Sequence, residues 1–170
     1  MAVLDIITLP EPVLRKKARK VSQYSNELHT LIDDMVETMR AAPGVGLAAP
    51  QVNVQLRVIV VEFGDEEDEE IPPKLYIIVN PELSKFSQEL VTGTEGCLSI
   101  PGYVGEVERS KTVIVKGFNR QGNPLKIKAK GWLARIFQHE VDHLDGILYI
   151  DRSDKVLAIE EEPTQVSPPD

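Results

Sequence analysis

Apolar residues early in the chain recur at the spacing of one helical face: Leu28, Leu31, Ile32, Met35, Val36 and Met39. This predicts an amphipathic helix that Ser25 or Asn26 can cap. Pro43-Gly44 ends it, because proline cannot continue the hydrogen-bond ladder and glycine accepts a left-handed turn. A shorter helix is expected near Pro12, carrying Val13, Leu14 and Ala18 inward. After the segment GVGLAAPQV comes a β-branched run at 57–63, then an acidic loop, then a second strand at 76–79 ended by Asn80-Pro81. Two strands flanking one loop are expected to pair antiparallel. Further strands are predicted over 104–108, over 112–118 and, beyond the turn NRQGNP, over 125–129. From Gly131 to Leu144 the period is helical again, with Leu133, Ile136, Phe137, Val141 and Leu144 available to face a core. Helix, several strands, helix is an α+β order rather than an alternating βαβ one. There is no internal repeat.

Composition changes this picture in three ways. At 170 residues the chain suits one domain with a real core, expected over residues 1–151 and followed by an acidic, proline-containing tail over 152–170. A net charge of -8 suggests a strongly acidic protein, but the run Asp65 to Glu70 and the tail run Glu160 to Glu162 hold nine of the 27 acidic residues. Without them 18 acids face 19 bases, so the body is nearly neutral and shows no basic stripe for nucleic acid. No apolar stretch approaches the roughly 20 residues needed to span a bilayer, and the N-terminus lacks the pattern of a secretion signal, so a soluble protein is expected. The one cysteine, Cys97, cannot form an internal disulfide, which suits a reducing compartment and leaves the thiol available for chemistry.

His139-Glu140-Val141-Asp142-His143 has the form HExxH, and two of the three histidines in the chain lie in it. Residues four apart on a helix point the same way, so the two imidazoles can grip one metal ion while Glu140 takes a proton from a water on it. A surface helix with two merely neighbouring histidines is the plain alternative. A catalytic site also needs a third protein ligand and an open fourth position. The long zinc-protease pattern HExxHxxGxxH matches at Gly146 but has Tyr149 where its last histidine belongs. Glu161 or Glu162 would serve by spacing, as in zinc peptidases with a downstream glutamate. Cys97, flanked by Gly96 and followed by Pro101, is the third candidate, although a lone cysteine is commonly just a small buried hydrophobe.

Three short motifs occur together and in order: GVGLAAPQ at 44–51, EGCLSIP at 95–101 and QHEVDHLDG at 138–146. With them the chain resembles the peptide deformylases from about Leu4 to Asp151. The resemblance implies antiparallel sheets packed around a central C-terminal helix that carries HEVDH. It implies Cys97, His139 and His143 as ligands of one divalent metal ion, with Fe2+ favoured and Zn2+, Ni2+ or Co2+ compatible with the donors. Glu140 is implied as general base, and Gln51 and the backbone N–H of Leu98 as donors to the oxygen of the reacting carbonyl. Val45, Gly46 and Gly96 are implied to bond an extended peptide, and Val45, Trp132 and Ile136 are candidates for a methionine pocket that Arg135 adjoins. A pair between Glu95 and Arg109 is expected to steady the cysteine loop.

The implied reaction releases formate from N-formylmethionyl nascent peptides, in a bacterial cytoplasm or an organelle stroma or matrix. Transient association with the ribosome fits such substrates, although the short acidic tail supplies no basic docking helix. No direct contact with nucleic acid or membrane is expected. The other readings are an HExxH zinc peptidase using Glu161 or Glu162, and a non-enzymatic domain around a structural metal.

Overall fold

The computed structural model describes residues 2–64 and 68–159. The first predicted helix is α1 (Asn26–Ala41), capped by the Ser25 hydroxyl, which accepts the Leu28 N–H at 3.3 Å. Its apolar stripe buries Leu28, Ile32, Met35, Val36 and Met39. The helix stops before Pro43, and the Gly44 N–H turns back to the Met39 carbonyl at 2.8 Å. The element near Pro12 is a single 3-10 turn, Pro12–Arg15, which buries Leu14.

Five strands form one antiparallel sheet in the order β1 (Gly46–Ala48), β2 (Val58–Phe63), β3 (Lys74–Ser84), β6 (Thr112–Phe118) and β7 (Pro124–Lys130). The expected pairing around the acidic loop is that of β2 with β3. In β2, Val58, Ile59, Val60 and Val61 are all buried because both faces are covered. Val58 and Val60 meet the α1 side, while Ile59 and Val61 meet the second helix, α2 (Gly131–Leu144). A second antiparallel sheet has the order β4 (Leu90–Cys97), β5 (Ile100–Ser110) and β8 (Ser153–Ala158), with the short helix α3 (Tyr149–Arg152) leading into β8. The layers therefore run α1, five-stranded sheet, α2, three-stranded sheet. This matches the expected α+β arrangement with the HEVDH helix at its centre.

Three expectations need correction. β3 does not end at Asn80-Pro81 but continues to Ser84. Asn80 takes a left-handed φ of 53° and the register shifts between Val79 and Glu82, so proline sits in a bulge where no ladder donor is needed. β1 and β4 were not expected as strands: β1 is only Gly-Leu-Ala, with little intrinsic β preference, and in β4 two glycines and Glu95 interrupt the short run Val91, Thr92 and Thr94. Ser153–Ala158, placed in the tail by composition, pairs with β5 from Tyr103 to Val107. Residues 65–67 of the acidic loop and 160–170 of the tail, with Glu161 and Glu162, lie outside the described residues.

Every residue of α2 from Ala134 to Leu144 is buried, including Arg135, Gln138, His139, Glu140, Asp142 and His143. A helix enclosed by two sheets cannot send its polar groups to water. Burying so many is tolerable only if each meets a partner of matching chemistry.

Candidate metal centre and active site

Cys97 ends β4, and His139 and His143 lie one turn apart on α2. One ligand atom from each comes within 4.8 Å of the others, and all three residues are buried. The Cys97 Sγ lies 3.3 Å from the His143 Nε2. Sulfur and nitrogen sharing a tetrahedral ion sit about 3.5 Å apart, from bond lengths near 2.3 and 2.1 Å, so the spacing suits one small cation. Burial, aided by the charges of His139 and Arg109, holds His143 well below the usual histidine pKa. The neutral imidazole that results is the ligating form.

Glu95, 2% exposed, faces the other histidine from β4. Its Oε1 accepts from the His139 Nδ1 at 2.9 Å, which turns the His139 Nε2 toward Cys97 and His143. Arg109 on β5 donates to both Glu95 oxygens, at 2.9 and 2.8 Å, so the expected ion pair is present. Arg109 also donates to Asp142 at 2.7 Å, and Asp142 accepts from Arg152. Burial by itself raises the Glu95 pKa, but the Arg109 and His139 bonds outweigh it and hold the carboxyl far below its usual range. Glu95 is thus a permanent acceptor.

Glu140 is fully buried and lies against β1. A Cβ built on Gly46 would come within 2.5 Å of the Glu140 Oε2, so glycine at 46 leaves the space the carboxylate occupies. Gln51 sits in the 3-10 turn Ala49–Val52, where its Oε1 accepts the Ala48 N–H at 3.0 Å. Its amide nitrogen donates to the Ser99 hydroxyl at 3.1 Å and lies 3.6 Å from the Cys97 Sγ. Leu98 follows Cys97 directly, and its side chain packs close to Gly44. Gly96 falls at the register shift between Glu95 and Cys97 in the β4–β5 ladder. A Cβ there would meet only ordinary contacts at 3.6 Å, so the fold itself leaves room at this position.

The expected pocket residues separate. Ile136 is buried in the core between α2 and the five-stranded sheet, and Val45 packs against that same core. The Val45 carbonyl accepts the Glu62 N–H at 2.9 Å, so this acceptor is committed to the sheet rather than to a bound peptide. Trp132 instead carries the Arg135 guanidinium 5.0 Å over its ring. It lines a cavity of about 850 Å³ with Phe63, Tyr76, Val91 and Leu133, a space lined by none of Cys97, His139, Glu140 and His143.

Three partners escaped the sequence reading. Ser99 carried no signal apart from its motif. Arg135 entered only as a neighbour of the expected pocket, and Asp142 sits inside HEVDH, where the histidines carry the signal. Tyr149, in the place of a third histidine, is buried with its ring 6.3 Å from that of His139.

Comparison with known proteins bears on the same residues. The model of the family described as polypeptide deformylase matches residues 3–158, which includes β8. A peptide deformylase of Symbiobacterium thermophilum is 51% identical over 162 residues, covering 95% of this chain and 72% of the relative. The crystal structure of peptide deformylase from Ehrlichia chaffeensis in complex with actinonin superposes with a TM-score of 0.85 at 42% identity, over 91% of each chain. A class I type b peptide deformylase from Acinetobacter baumannii, bound to Met-Ala-Ser, gives a TM-score of 0.82 at 42% identity, over 89% of this chain and 98% of the other. With its family model spanning nearly all the described residues, and with a cysteine and two histidines converging in its centre, the chain belongs to the polypeptide deformylase family.

Proposed function

We propose that Cys97, His139 and His143 hold one divalent cation and that Glu140 is the general base and acid of N-terminal deformylation. The chain is a hydrolase of the family that removes N-formyl groups from nascent peptides. A cation held by these three side chains would supply Lewis acidity, lowering the pKa of a nearby water and favouring charge on the formyl oxygen. Glu140 accepts the proton of the attacking water and passes it to the amine nitrogen as the C–N bond breaks, leaving formate and a free methionyl N-terminus. Negative charge builds on the formyl oxygen, where the Gln51 amide and the Leu98 N–H donate. Exclusion of water strengthens these bonds, and Glu140 and Gln51 are both buried.

Gly46 on β1, an edge strand, and Gly96 on β4, the edge of the other sheet, present backbone to an extended peptide. That mode reads main chain, which suits substrates sharing only their first residue. Val45 and Ile136, which pack in one core, border the methionine side, whereas Trp132 faces the separate cavity and is left out of it. The family resemblance favours Fe2+, and Zn2+, Ni2+ and Co2+ suit the same donors. The substrates are N-formylmethionyl peptides met early in synthesis, in a reducing compartment such as a bacterial cytoplasm or an organelle stroma, with any ribosome contact transient. Among the described residues no helix is long and apolar enough to cross a membrane.

The convergence of Cys97 with two histidines more than 40 positions away carries this reading. Its test is formate release from a formyl-Met peptide, with metal content measured on the same sample. Cys97→Ala should lose both metal and activity, and truncation after Ile159, which removes Glu161 and Glu162 but keeps β8, should lose neither. The reverse result would favour the zinc peptidase. Cutting after Asp151 instead would confound the test by stripping β8 from β5.

A further inference from the structure

We infer that Arg135 is a positioning residue of the metal centre, holding Glu95 so that Glu95 can aim His139. The inference rests on the ligand set proposed above, but it concerns a side chain that set does not include. Arg135 lies one helical turn before His139 on α2, so both project toward β4 and β5. The residue is 5% exposed, and its guanidinium spends its donors on three acceptors from two strands. Nη1 reaches the Glu95 Oε2 at 2.6 Å and the Val107 carbonyl at 2.9 Å, and Nη2 reaches the Val91 carbonyl at 2.6 Å. Gly93 makes the approach possible, since a Cβ there would lie 2.9 Å from the Arg135 Cζ.

The consequence is a carboxylate with every acceptor direction filled. Glu95 Oε1 serves Arg109 and His139, while Oε2 serves Arg109 and Arg135. Arg109 by itself leaves one lone pair of Oε2 open, and it is shared with Asp142. Arg135 completes the set and ties Glu95 to the helix that carries His139, so ligand and orienting carboxylate move as one body. A planar fork can do this, whereas a lysine ammonium reaches Glu95 but not both carbonyls as well. The side chain touches no reacting atom, and its effect passes through Glu95.

The test uses Co2+ as probe, followed through its visible thiolate and ligand-field absorption and titrated against a chelator, with kcat and KM measured separately. Arg135→Met should lower Co2+ affinity about 10- to 100-fold and lower kcat, leaving KM for a formyl-Met peptide within about twofold. Arg135→Lys should recover part of the affinity. Should the methionine variant not fold, Gly93→Ala, which crowds the guanidinium, should produce a smaller loss of the same kind. Unchanged Co2+ affinity with only a lowered Tm would make Arg135 a structural tie and overturn the inference, and so would a raised KM at unchanged affinity, which would make it a pocket wall. Metal affinity is read without turnover, so a wild-type protein that released no formate would sink the proposed function and leave this inference to stand or fall on its own titration.

Discussion

At the scale of single residues, the site works by excluding alternatives around a few atoms. Gly46 is the clearest case, because its missing side chain is the space in which the Glu140 carboxylate sits. Gly46→Ala should displace that carboxylate and cut turnover toward the level of Glu140→Ala while metal content stays near one ion per chain. Glu140→Ala itself should lose about 10² to 10⁴ in kcat, the usual worth of a positioned proton carrier. Gln51→Leu removes the proposed donor at the formyl oxygen and should cost roughly 10² to 10³ in kcat, and unchanged turnover would remove Gln51 from the mechanism. In the free protein the Gln51 amide already bonds Ser99, so it has to share or exchange that partner when substrate arrives. A Ser99→Ala variant with a changed KM would report the exchange.

At the scale of elements, α2 has two jobs that could conflict, since it bears the chemistry and is also the centre of the core. Phe137 shows the second job: it is fully buried and meets the Tyr76 ring edge-on at 5.4 Å. Phe137→Ala should destabilise the protein by about 3 to 5 kcal/mol in denaturant titration, and the fraction still folded should keep its metal. A smaller element depends on charge. Asp151 caps α3 by accepting the Leu148 N–H at 2.9 Å and pairs with Arg15, which links the N-terminal segment to the C-terminal one. Burial is the largest single influence and raises its pKa, but the Arg15 and Leu148 bonds, with the charges of Arg15 and Arg152, together outweigh it and leave it below the usual aspartate value. A depressed folded pKa means that the stabilisation is present above the unfolded value of about 3.9 and fades as pH falls through the folded one. The pair is more than a third exposed, so solvent screening keeps its worth well under about 1 kcal/mol. The stability gap between the wild type and Asp151→Asn should therefore be small at neutral pH and shrink as pH falls below the unfolded value of about 3.9.

Across the whole molecule, the metal should act as a staple. Cys97 comes from the three-stranded sheet and the two histidines from the helix between the sheets, so an ion bound to the native state links layers that separate on unfolding. At free metal about 100-fold above Kd the gain is about 2.7 kcal/mol. For a chain of this size that corresponds to a fall in Tm of roughly 5 to 10 °C when a chelator removes the ion. Calorimetry of Cys97→Ala should show no such metal-dependent step.

What the sequence determined by itself was local or carried by short motifs. Periodicity located α1 and α2 because an amphipathic helix writes its buried face into neighbouring residues, and β2 and β6 were legible from their β-branched residues. HEVDH put two imidazoles on one helical face without any knowledge of the fold. Tertiary structure decided whatever depended on contacts distant in the chain. It made strands of Gly46–Ala48 and Ser153–Ala158, whose side chains express little β preference but whose backbones meet β2 and β5. It also brought Cys97 to the histidines and surrounded Glu95 with two guanidiniums, because a bond between residues 40 positions apart is specified by the packing of layers and leaves no periodic trace in the order of residues.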